Sequence, residues 1–132
     1  MLRAADARPG TRPVNTPDFR TLRLALHCGT GQLPVLGFGT LIADPVETLR
    51  ATGDALQAGF RHIDCAERYR NEREAGAALR LALASGRIGR EELFITTKLW
   101  NTNHRAERVQ RAFSAHSARA WSGSGSNTST CT

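Results

Sequence analysis

Between residues 35 and 113, short apolar runs alternate with amphipathic helical stretches three times over. That alternation restricts the chain to right-handed βαβ units and a parallel sheet covered by helices. The runs are Val35–Thr40, Phe60–Ala66 and Leu93–Leu99. The first helix opens at Asp44, which can cap free N–H groups, with Pro45 suited to the first turn and Glu47 placed to complete a capping box. Val46, Leu49, Gly53 and Leu56 mark its apolar face, and Gly59 closes it. A second helix begins at Asn71, with Glu74 three residues on, turns Ala75, Leu79 and Ala82 inward, and ends at Gly86. Glu107–Phe113 starts a third, with Val109, Ala112 and Phe113 apolar. Ahead of these units, Leu22–Leu26, a turn at residues 28–31 and a segment through Leu33 predict a short antiparallel hairpin.

Composition divides the chain into three regions. Residues 1–21 are polar and aperiodic and read as a disordered tail, with an organellar address as the alternative. Residues 22–113 carry the pattern, and residues 114–132 are a low-complexity stretch of Ser, Gly, Thr and Ala. The net charge of +6 comes from scattered arginines, with no stripe and no aromatic platform beside them, so nucleic-acid binding is not expected. No apolar run is long enough to span a bilayer, so no membrane association is expected. Cys28, Cys65 and Cys131 are odd in number and widely spaced, which indicates neither a disulfide framework nor a metal site and suits a reducing cytoplasm.

Asp64, Tyr69 and Lys98 carry the chemistry. Lys98 is the only lysine in a chain otherwise biased to arginine, and it sits in an apolar strand. An acid, a phenol and an amine near strand ends suit proton transfer, although an Asp–Lys pair on neighbouring strands also reads as a structural ion pair. His62 precedes Asp64 on its strand and reads as a packed residue, as do His27 and His116.

The phrases Leu36-Gly-Phe-Gly-Thr40, Gly59-Phe-Arg-His-Ile-Asp-Cys-Ala66 followed by Tyr69 and Asn71-Glu72, and Thr97-Lys-Leu-Trp-Asn101 resemble, in order and spacing, the first part of an aldo-keto reductase. The resemblance implies an α/β fold, an incomplete (β/α)8 TIM barrel of three β/α units behind a short hairpin, whose site lies at the C-terminal strand ends. It implies NADPH, or NADH, as cofactor and a small-molecule carbonyl as substrate. Asp64, Tyr69 and Lys98 match three of the family's four catalytic residues. Tyr69 would be the general acid. A free phenol, with pKa about 10, donates poorly near neutrality, an adjacent ammonium favours its ionised form, and Asp64 would neutralise that ammonium. Gly39, Thr40 and Asp64 fall where the family contacts the nicotinamide half, and Trp100 and Asn101 where a substrate mouth is lined. The family's catalytic histidine follows strand four and has no match here; His104 lies after strand three. Leu41 stands where many relatives carry an aromatic residue.

The family pattern breaks after Phe113. Shifted by one frame, and with an AGY codon for Ser122, the codons of Trp121–Thr132 permit Glu-Arg-Leu-Gly-Val-Glu-Tyr-Val-Asp-Leu-Tyr, which resembles the approach to strand four. Residues 114–132 are therefore expected to be an out-of-frame tail. The cofactor site is then expected to be incomplete and the 132-residue chain inactive, inert or prone to aggregation and edge-strand pairing, whereas the complete protein would reduce aldehydes or ketones.

Overall fold

The computed structural model describes residues 18–27 and 31–120. Strands β1 (Arg23–Ala25) and β2 (Gln32–Pro34) form an antiparallel pair in which Leu24 faces Leu33. The hairpin turn expected at residues 28–31 lies, but for Gly31, outside the described residues, as do residues 1–17 and 121–132.

Strands β3 (Gly37–Gly39), β4 (His62–Asp64) and β5 (Phe94–Thr96) make a parallel sheet in the order β3-β4-β5. Helix α1 (Pro45–Gln57) connects the first two and α2 (Glu72–Ala84) the second two. The regular ladders are shorter than the apolar runs that predicted them. Residues just beyond them still bond across the sheet, as Thr40 N to Asp64 O (3.0 Å) and Cys65 N to Thr96 O (2.8 Å).

Strand alternation sorts the sheet into two faces. Phe38, Ile63 and Ile95 are in register and face the helices, where Leu56, Ile63, Cys65, Ala75, Leu79, Ile88 and Leu93 form the core. The registered rows Gly37–His62–Phe94 and Gly39–Asp64–Thr96 therefore point the other way. The same alternation that buries Ile63 keeps the chemical residues out of the core.

Two expectations are corrected. The inner face of α1 is Thr48, Thr52, Ala55 and Leu56, while Val46 is 75% exposed. Threonine serves there because Thr48 Oγ1 donates back to Asp44 O (2.8 Å), leaving its methyl to pack. The capping box is half formed: Asp44 accepts from Glu47 N (2.7 Å), but the Glu47 carboxylate turns to Arg50 (3.0 Å). Asn71 starts α2 at its cap position as expected, while its side chain makes no capping bond and is spent elsewhere. Gly59 (φ +99°) and Gly86 (φ +68°) end α1 and α2 as expected, in a conformation that glycine alone adopts without strain.

Helix α3 (Ala106–Ala120) packs against α2 and runs seven residues past Phe113. The run after Phe113, Ser-Ala-His-Ser-Ala-Arg-Ala, holds three alanines and neither glycine nor proline, so a stretch that read as a tail continues the helix to residue 120.

Candidate active site

The exposed row of the sheet ends at Asp64, the last residue of β4. A single 3-10 turn, Glu67–Tyr69, follows, and Arg70 takes a left-handed conformation (φ 58°) that redirects the chain into α2. This reversal brings Tyr69 back over the strand ends. Lys98 lies two residues beyond Thr96 and so extends from the same side of the sheet.

The three side chains converge. Lys98 Nζ donates to Asp64 Oδ2 (2.7 Å), to Cys65 O (3.0 Å) and to Tyr69 Oη (3.2 Å). An ammonium has three N–H donors, and here each has an acceptor. Asp64 Oδ1, the other carboxylate oxygen, accepts from Thr96 Oγ1 (2.6 Å). Burial raises the Asp64 carboxyl, but the bonds from Lys98 and Thr96 outweigh it and hold the group below the usual carboxylate range. Burial likewise lowers Lys98, and the bonds to Asp64 and Tyr69 more than reverse it, so the ammonium is held above its ordinary value. The Asp64 side chain is 35% exposed and that of Lys98 51%, which leaves the cluster open to a ligand.

Gly39 stands beside Asp64 in register and is exposed; a Cβ built there would meet nothing within 4 Å. Thr40 is fully buried, with its backbone N–H and its hydroxyl both donating to Asp64 O (3.0 Å each). Its side chain thus holds the backbone of Asp64 and does not face outward.

Trp100 lines an open recess of about 460 Å³ with Glu67, Arg68 and Arg70. The Arg68 guanidinium lies 5.1 Å from the Trp100 ring centre. Asn101 is exposed at the start of a 3-10 turn, Asn101–Asn103. His104 is bonded to Leu99 O (3.3 Å), apart from the Lys98 cluster, and His27 is exposed. Leu41 is 73% exposed, and the His116 side chain lies outside the described residues.

Three residues that hold the site escaped the sequence reading. Thr96 is registered against Asp64, a pairing that the spacing of the two apolar runs contained. Asn71 Nδ2 donates to Thr40 O (2.6 Å) and Ile42 O (2.9 Å), tying the loop after β3 to the start of α2. Glu67 accepts from Trp100 N (2.9 Å) and Asn103 Nδ2 (2.7 Å), clasping the loops after β4 and β5. Only tertiary contacts reveal these last two, since each partner is distant in sequence.

Residues 26–119 match the profile of the Aldo/keto reductase family. The chain is 49% identical over 88 residues to aldo-keto reductase family 1 member A1 of Mus musculus, covering 66% of this chain and 27% of that protein. It is also 49% identical over 97 residues to the prostaglandin-E(2) 9-reductase of Oryctolagus cuniculus, covering 71% and 29% respectively. The chain thus spans less than a third of the length of these relatives. Among solved structures it resembles the aldose reductase of Schistosoma japonicum (TM-score 0.66, 46% identity, 69% of this chain and 30% of that one). It also resembles a Bombyx mori aldo-keto reductase in complex with NADP (TM-score 0.70, 33% identity, 75% and 34%). The chain belongs to the aldo/keto reductase family, and its three parallel β/α units form an incomplete (β/α)8 barrel.

Proposed function

We propose that the complete protein is an oxidoreductase that reduces aldehyde or ketone carbonyls with NADPH, and that this chain carries the proton-donating part of its site. One observation carries the reading: Lys98 Nζ bridges Asp64 and Tyr69 beside the C-terminal strand ends, where barrel enzymes keep their active sites. The residues present suit the nicotinamide end of the cofactor. Gly39 offers open backbone next to a half-exposed carboxylate, so a flat ring can approach where any side chain would intrude. Gly39 and Asp64 would hold that end, with Thr40 keeping Asp64 in place. When bound, the cofactor supplies a hydride to the carbonyl carbon.

The chain's own residues supply the rest. Tyr69 Oη gives its proton to the carbonyl oxygen as negative charge builds there. The Lys98 ammonium, 3.2 Å away, stabilises the phenolate left behind until a proton from solvent restores it. Asp64 keeps that ammonium charged and aimed. Trp100 and Asn101 are proposed to border the carbonyl substrate. The family's fourth catalytic residue, a histidine after strand four, has no match in these three units. We therefore propose that the 132-residue chain alone does not turn over, in a reducing cytoplasm where its buried free thiol Cys65 persists.

The test is to graft residues 26–119 into the matching segment of the mouse relative and follow carbonyl-dependent NADPH oxidation. The graft is expected to be active and to lose about 10²- to 10⁴-fold in kcat on Tyr69→Phe. A folded graft whose turnover ignores Tyr69 would refute the proposal.

A further inference from the structure

We propose that Thr96 is a positioning residue for the site: its hydroxyl, set between His62 and Asp64, commits one carboxylate oxygen so that the other stays on Lys98. The inference rests on reading Asp64, Lys98 and Tyr69 as one cluster. Thr96 Oγ1 lies 2.6 Å from Asp64 Oδ1 and 3.2 Å from His62 Nε2. A hydroxyl has one proton to give. Given to the carboxylate, it makes a short, charge-assisted bond, and the longer contact to His62 flanks it.

The surroundings hold this arrangement. Threonine is β-branched and restricted at χ1, and the register sets it directly opposite Asp64. The His62 ring packs edge-on against Phe94 with centres 5.4 Å apart. On the other side Gly37 gives it room, since a Cβ there would stand 2.8 Å from Nδ1. The titratable or charged groups facing Asp64 are His62 on its own strand, Lys98 beyond β5 and, through Lys98, Tyr69 on the following turn. The neighbouring position on β3, Gly39, adds no charge. Burial lowers His62 and outweighs the Asp64 charge and a backbone hydrogen bond with Pro34, so the ring is more readily kept neutral. Without the Thr96 hydroxyl, Asp64 is free to rotate about its last torsion and to share its charge with water.

Lys98 is the only lysine of the chain, so its reactivity can be read without interference. The full chain is acetylated with limiting acetic anhydride across a range of pH. The Lys98 peptide is quantified by mass spectrometry against the N-terminal amine, with a melting curve to verify folding. Thr96→Val keeps the shape and removes the hydroxyl; Thr96→Ser keeps the hydroxyl. Thr96→Val is expected to label Lys98 about threefold to tenfold faster at a fixed pH below its titration, with the profile displaced to lower pH. Thr96→Ser is expected to match wild type, and Asp64→Asn to be faster still. If Asp64→Asn accelerates labelling and Thr96→Val does not, the positioning role is overturned while the Asp64–Lys98 pairing survives. If Thr96→Ser behaves like Thr96→Val, packing rather than the hydroxyl is responsible and the proposal fails. If Asp64→Asn has no effect, the cluster itself is misread, and this proposal falls with it.

Discussion

At the residue scale, the signs of the two shifted groups define a pH window. Asp64 is lower in the fold than in the open chain, so its contribution to stability is present above the unfolded value of about 3.9 and is lost as pH falls through the folded value. Lys98 is raised, so its contribution is complete below about 10.4 and is lost as pH rises through the folded value. The pair is partly exposed and therefore screened, which keeps it to about 1 kcal/mol or less. Urea midpoints of wild type and Asp64→Asn are expected to differ most near neutrality and to converge as pH drops below about 4. A gap unchanged by acid would show that Asp64 does not titrate as described. Gly37→Ala addresses the same face. Its Cβ would meet the His62 ring at 2.8 Å, with Phe94 against that ring, so the substitution is expected to cost about 1–3 kcal/mol in urea denaturation. Asp64, Tyr69 and Lys98 were legible as residue types in recognisable phrases. Thr96 was not, because a threonine in a strand ordinarily signals only β propensity.

Elements were legible where local chemistry decides them. The Asp44 cap, Pro45, Gly59 and Gly86 each act within a few residues of their own position. The inner face of α1 was misjudged because apolarity was taken as its marker, whereas two buried threonines, Thr48 and Thr52, help to fill it, and Thr48 bonds back to Asp44 O. Asn71 was legible as a helix start, and α2 begins there, but that its amide serves the neighbouring loop was not. Asn71→Ala would leave the carbonyls of Thr40 and Ile42 without that donor, and is expected to cost about 2–3 kcal/mol in urea denaturation. A loss of a few tenths only would mean that those carbonyls find other donors. Leu79, fully buried on α2, is expected to cost about 2–5 kcal/mol as alanine.

At the scale of the whole molecule, alternating strands and helices predicted a parallel sheet covered on one face, and the sheet is built that way. The outer edge of β5 is unpaired among the described residues, and Leu22, Leu24, Leu36, Leu41 and Leu81 are exposed. Such an edge invites pairing with another chain. We expect the 132-residue protein to self-associate, with a sedimentation profile that shifts with concentration; a single monomeric species across that range would count against an open edge. The central claim is that Lys98 makes one unit of Asp64 and Tyr69, and a double-mutant cycle in the grafted barrel tests it most directly. NADPH oxidation is measured for Asp64→Asn, Lys98→Met and the pair. The account predicts that the double variant is about as slow as the slower single one; effects that simply multiply would contradict it.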